Sequence, residues 1–133
     1  MSMYSSVLRA AIDMTTGMGL YAPVLIGPMP LENGLSIAIA AGAPEYDMDR
    51  GERHEISLVL NGKHENQQTV LEALGLIHER LTMRKDFPVT PDGCRITSIE
   101  TISAPSYIGR EDNNQWLYGS SLRVRFYKGR QHS

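Results

Sequence analysis

CRITSIETISAPSYIGREDNNQWLYGSSLRVRFYK, residues Cys94–Lys128, reads as one long two-stranded antiparallel unit around which the rest of the chain is organised. In its second half, Trp116, Tyr118, Leu122, Val124 and Phe126 fall on one face. Leu117, Ser121, Arg123, Arg125 and Tyr127 fall on the other, and this period of two marks a half-buried strand. The first half, Arg95–Ala104, is dense in β-branched residues (Ile96, Thr97, Ile99, Thr101, Ile102), whose stiff side chains suit a pleated sheet. Ile96 and Ile102 share a face while Ile99 opposes them, which fits either a bulge or a strand covered on both sides. Pro105 is expected to stop this first strand, with an extended loop at Gly109–Asn114.

Upstream, a helical stripe from Gln67 to Arg84 (Val70, Leu71, Leu74, Ile77, His78, Leu81) supplies the apolar face that such a sheet needs. Asn66 is the expected N-cap, and Gly75, a weak helix former within the stripe, is expected to face a close neighbour such as the sheet. A strand at His54–Gly62 precedes it, ending in the turn signal Asn61-Gly62. Another strand around Leu35–Ala40 alternates large residues with Ser36, Ala38 and Ala40. Before that come a first helix over Ser2–Gly17 and a connector, Leu20–Asn33, whose prolines Pro23, Pro28 and Pro30 allow at most a short strand. The order predicts an α+β fold: a mostly antiparallel four-stranded sheet with two main helices packed on one face, in a single domain spanning residues 1–133.

Composition narrows the function. With 41% hydrophobic and 21% charged residues the chain is ordinary for a globular domain, and a net charge of −2 without a run of Lys or Arg argues against a nucleic-acid reader. The lone Cys94 excludes an internal disulfide and is expected to be a buried structural thiol. The N-terminus lacks the pattern of a secretion signal, and no apolar run approaches the length that spans a bilayer, so no membrane association is expected. His54, His64, His78 and His132 lack the short-spaced partners of a metal site. Gly17 and Gly19 follow a helix, where a phosphate loop would link a strand to one, and Ser120-Ser121 lacks the setting of a nucleophile elbow. No catalytic, metal or cofactor site is expected, and the chain is not expected to be an enzyme.

Two regions stand out as contact surfaces. Arg123 and Arg125, beside Tyr127 on the polar face of the last strand, form an expected subunit interface, since Arg and Tyr are enriched where proteins meet. They are expected to meet acidic residues of an adjacent subunit. The charged segment Gly42–Arg53, with Glu45, Asp47, Asp49, Arg50 and Arg53, is longer than a strand connection needs and is expected to be a loop that contacts a partner or borders an opening.

The segment ISAPSYIGREDNNQWLYGSSLRVRFYK, with the helix QTVLEALGLIHERL before it, resembles small phage proteins of the minor capsid and tail-terminator group. Pro105, the Gly109–Asp112 turn, Trp116 and the closing strand Ser121–Tyr127 carry the likeness. The resemblance implies a structural virion protein without cofactor, assembled in the host bacterial cytoplasm as a homo-oligomeric ring, commonly a hexamer. Such a ring caps the tail tube and joins it to the neck, with the tail tube protein and a neck or head-completion protein as partners. DNA would pass through without specific binding. The competing reading of the residues is a small-molecule or peptide-binding α+β module without catalytic activity.

Overall fold

A computed structural model describes residues 3–40 and 53–128. Its elements, in chain order, are α1 (Met3–Thr15), β1 (Val24–Ile26), β2 (Gly34–Ile39), β3 (Arg53–His64), α2 (Gln67–Thr82), β4 (Cys94–Arg110) and β5 (Trp116–Lys128). The fold is α+β. The sheet runs in the order β1-β2-β3-β5-β4, antiparallel except for the pairing of β1 with β2. The fifth strand comes from the proline-rich connector: Val24–Ile26 pairs with Leu35–Ile37, and Pro23 and Pro28 confine it to three residues at the sheet edge.

Period-two alternation separates two faces. On one, Ile56, Leu58 and Leu60 of β3 lie beside Val124, Leu122 and Ser120 of β5, with Leu35 and Ile37 of β2 alongside. Both helices cover this face. Val7, Leu8, Ala10, Ala11 and Met14 of α1 and Val70, Ala73, Leu74, Ile77 and Leu81 of α2 are buried with these strand residues in one core, and the Tyr4 ring stands edge-on to Phe126. On the stripe of α2, Leu71 departs from expectation and is 41% exposed, while Ala73, one turn on from Val70, joins the buried face. Trp116, expected in the core, is half-buried, with the Arg110 guanidinium 5.1 Å above its ring and Tyr107 beside it.

Asn66 caps α2 as expected, its side-chain oxygen accepting from the backbone amides of Gln68 (3.0 Å) and Thr69 (3.2 Å). Four other local expectations are corrected. Asn61-Gly62 is no turn, because β3 continues through it to His64. A Cβ on Gly62 would lie 2.8 Å from Cγ2 of Val70 and 2.9 Å from Cδ2 of Leu35, so the glycine marks a close approach of α2 to the sheet. Gly75, expected at such an approach, has nothing within 4 Å of its notional Cβ. Pro105 does not stop β4. On an edge strand a missing N–H is tolerated, and the register shift between Ser103 and Ser106 absorbs it. The loop before β5 is a tight turn, closed by Glu111 N–H to the Gln115 carbonyl (2.8 Å) and Asn114 N–H to the Glu111 carbonyl (3.0 Å), with Asn114 in the left-handed region at φ 68°. Of the two readings of the isoleucines, the bulge is the one observed: the shift between Ile96 and Ser98 returns Ile99 to the core face beside Val124, while Ile102 is 43% exposed.

Candidate subunit interface on the open sheet face

Among the described residues, no helix lies on the second face of the sheet. Its middle is paved with small side chains, since pairing sets Ser36 and Ala38 of β2 beside Asn61 and Val59 of β3, which face Gly119 and Ser121 of β5. Ser121 and Ser103 meet hydroxyl to hydroxyl at 2.7 Å. A Cβ on Gly119 would lie 2.5 Å from Cδ1 of Ile108, whose side chain lies over this glycine.

Toward one end this floor gives way to charge. Glu55 of β3 lies opposite Arg125 in the ladder, and its carboxylate is shared between two arginines of β5. Oε2 accepts from Nε of Arg125 at 3.1 Å, and Oε1 lies 3.3 Å from Nε of Arg123, an ion pair without good hydrogen-bond alignment. Arg125 also donates through Nη1 to Glu100 of β4 at 2.7 Å. Arg123 and Arg125, expected on the exposed face, are there with side chains 34% and 48% exposed, and each has an acidic partner within its own chain. The ladder sets Tyr127 between Arg53 and Arg95, so arginine outnumbers glutamate on this end of the face although the whole chain is net acidic. Exposed pairs of this kind each stabilise by no more than about 1 kcal/mol, but their cross-strand geometry fixes where the charges stand.

Glu55, Glu100 and Arg95 are the members of this surface that the sequence reading missed. Alternation within His54–Gly62 places Glu55 on the polar face, opposite Ile56, yet which strand lies beside it is a matter of sheet order that no local signal carries. Arg53, the first residue of β3, is exposed and paired with Tyr127; Glu45, Asp47, Asp49 and Arg50 lie outside the described residues.

At the other end of the face a hydrogen-bonded knot ties the β1–β2 loop to the β4–β5 turn. The Asn33 amide donates to Oε1 of Gln115 (2.7 Å), Asn113 donates to the Leu31 carbonyl (2.8 Å), and the buried Lys63 ammonium meets Glu111 at 3.0 Å. Tyr21 donates to the Gly34 and Lys63 carbonyls at 2.9 and 3.0 Å, and burial pushes its phenol well above the usual range. On the helix side, His78 of α2 meets the Thr101 hydroxyl through Nδ1 at 2.8 Å, leaves Nε2 buried without a hydrogen bond, and has its pKa lowered by burial. The Thr90 hydroxyl holds the Asp92 carboxyl below its ordinary value, and burial pushes the Cys94 thiol up. These groups are fastened into the fold. Among the described residues no cluster of His, Cys, Asp or Glu could hold a metal, and no helix is long and apolar enough to cross a membrane.

No family model matches the sequence, and no curated protein matches it. Among solved structures, a chain from the virion of a native gene transfer agent particle superposes with a TM-score of 0.57, covering 93% of this chain and 90% of that one at 14% identity. The two share their fold along nearly their whole length.

Proposed function

We propose that this chain is a structural virion protein of a phage-like particle, assembling as a homo-oligomeric ring that caps the tail tube and joins it to the neck. The observation that carries the reading is the end-to-end likeness of fold to a chain of an assembled gene transfer agent virion. The resemblance of Ile102–Lys128 to tail-terminator proteins supports the finer assignment, and the helix-free face with its Arg and Glu ladder supports a role in contacts. In this role Arg123, Arg125 and Tyr127 face an adjacent subunit, with Glu55 and Glu100 holding the guanidinium groups in place until the partner arrives. The acids Glu45, Asp47 and Asp49 border the opening, where they repel phosphate and let DNA pass, since each Lys or Arg contact to phosphate would add affinity and drag. The test is to produce particles in a host lacking this gene and to image them. Unjoined heads and tubes of unregulated length are the expected result; finished particles in normal yield overturn the proposal.

A further inference from the structure

We infer that copies of this chain join edge to edge, with β1 of one copy lying antiparallel beside β4 of the next, so that the sheet continues across the subunit boundary. The inference rests on the ring reading and assigns it a surface. Among the described residues, sheet order leaves β1 and β4 as the two edges, with only Val89, bridged to Arg95 at the start of β4, against the outer side of either. Five of the eleven exposed large hydrophobic side chains of the described residues lie on those edge strands: Leu25 and Ile26 on one, Ile102, Tyr107 and Ile108 on the other. The sequence places no charge between Asp13 and Glu32, or between Glu100 and Arg110, so each edge is apolar where edge strands ordinarily carry charge as a guard against pairing.

The two edges also match in level and direction. Following the ladder across the sheet, Leu25 pairs with Ser36, Ser36 with Asn61, Asn61 with Gly119 and Gly119 with Ser106. Val24–Ile26 is therefore level with the apolar part of β4, and a lateral neighbour meets it without sliding along the strands. Because β1 runs with β2 while every other pairing is antiparallel, β1 and β4 run in opposite directions and meet as an antiparallel pair. Pro23, Pro28 and Pro105 restrict the new ladder to a few backbone bonds, which leaves side-chain burial as its main source of affinity. The contact joins two different surfaces, and such a head-to-tail contact closes into a ring when its rotation divides the circle.

Cysteine pairs and a charge placed on the edge test this on the full chain. With Leu25→Cys and Ser106→Cys in one chain, mild oxidation is expected to yield a ladder of covalent multimers, since the two positions face each other across the boundary at a separation a disulfide can span. Cys94, fully buried, stays out of the reaction. Leu25→Lys, which puts a charge on the β1 edge, is expected to raise the concentration for half-assembly by about tenfold, a loss of roughly 1.4 kcal/mol per contact. Covalent dimers from Ser106→Cys alone indicate a two-fold β4-to-β4 contact and overturn the assignment. An assembled wild type whose cysteine variant gives no ladder and whose assembly is indifferent to Leu25→Lys overturns the edge contact and leaves the ring standing. A wild type that stays monomeric sinks both.

Discussion

Adding one methyl group at Gly62 and one at Gly75 should change stability in opposite directions. At Gly62 the new Cβ meets Val70 Cγ2 at 2.8 Å, Leu35 Cδ2 at 2.9 Å and the Tyr21 hydroxyl at 3.1 Å. These neighbours come from α2, β2 and the connector before β1. Val70 and Leu35 are fully buried, and the Tyr21 hydroxyl is tied to two carbonyls, so none can retreat without disturbing its own packing. Overpacking of this kind costs about 1–3 kcal/mol, which for a chain of this length lowers Tm by roughly 4 °C per kcal/mol. At Gly75 nothing lies within 4 Å, the backbone is helical, and alanine removes the entropic cost of glycine, a gain of about 0.5–1 kcal/mol. Urea unfolding at one fixed protein concentration reads both, with the slope expected unchanged. A Gly62→Ala variant within about 0.5 kcal/mol of wild type refutes the close approach of α2 to β3. A destabilised Gly75→Ala refutes the open face of the helix.

Leu74→Ala and Leu122→Ala, each removing a fully buried side chain between α2 and the sheet, are expected to cost about 2–5 kcal/mol by the same measurement. Replacing Arg123 and Arg125 together by Ala should shift native mass toward the monomer while the circular dichroism spectrum stays folded; an unchanged assembly removes them from the interface. His78 supplies a pH signature: burial lowers its folded pKa, so below about 6.5 the unfolded chain binds the proton more readily and stability falls as the pH drops. In His78→Asn the slope of stability between pH 7 and 5 should be smaller, and an unchanged slope assigns it to other groups. The carboxyl of Asp92, also held low, contributes only at more acid pH, where its unfolded form takes up protons.

Periodicity made most of the fold legible. The alternation in Trp116–Lys128 gave the face that Leu122, Val124 and Phe126 bury, and Asn66 announced the start of α2 because capping is a local matter of one side chain and two amides. What escaped is tertiary. Asn61-Gly62 has the composition of a hairpin turn, and only the proximity of Val70, Leu35 and Tyr21 explains why a strand runs through it. Pro105 breaks a central strand but not an edge, and edge position follows from an order, β1-β2-β3-β5-β4, in which the last two strands exchange places. The same order brings Glu55 and Glu100 to Arg125 from two different strands, so the sequence located the arginines and the side they face without their partners.

The central claim is assembly of identical copies, and the native mass of the purified chain, measured across the micromolar range with electron micrographs of the same sample, tests it most directly. A single species at several times 14.8 kDa, with a central opening in the images, is the predicted result. A 14.8 kDa monomer throughout that range would contradict it.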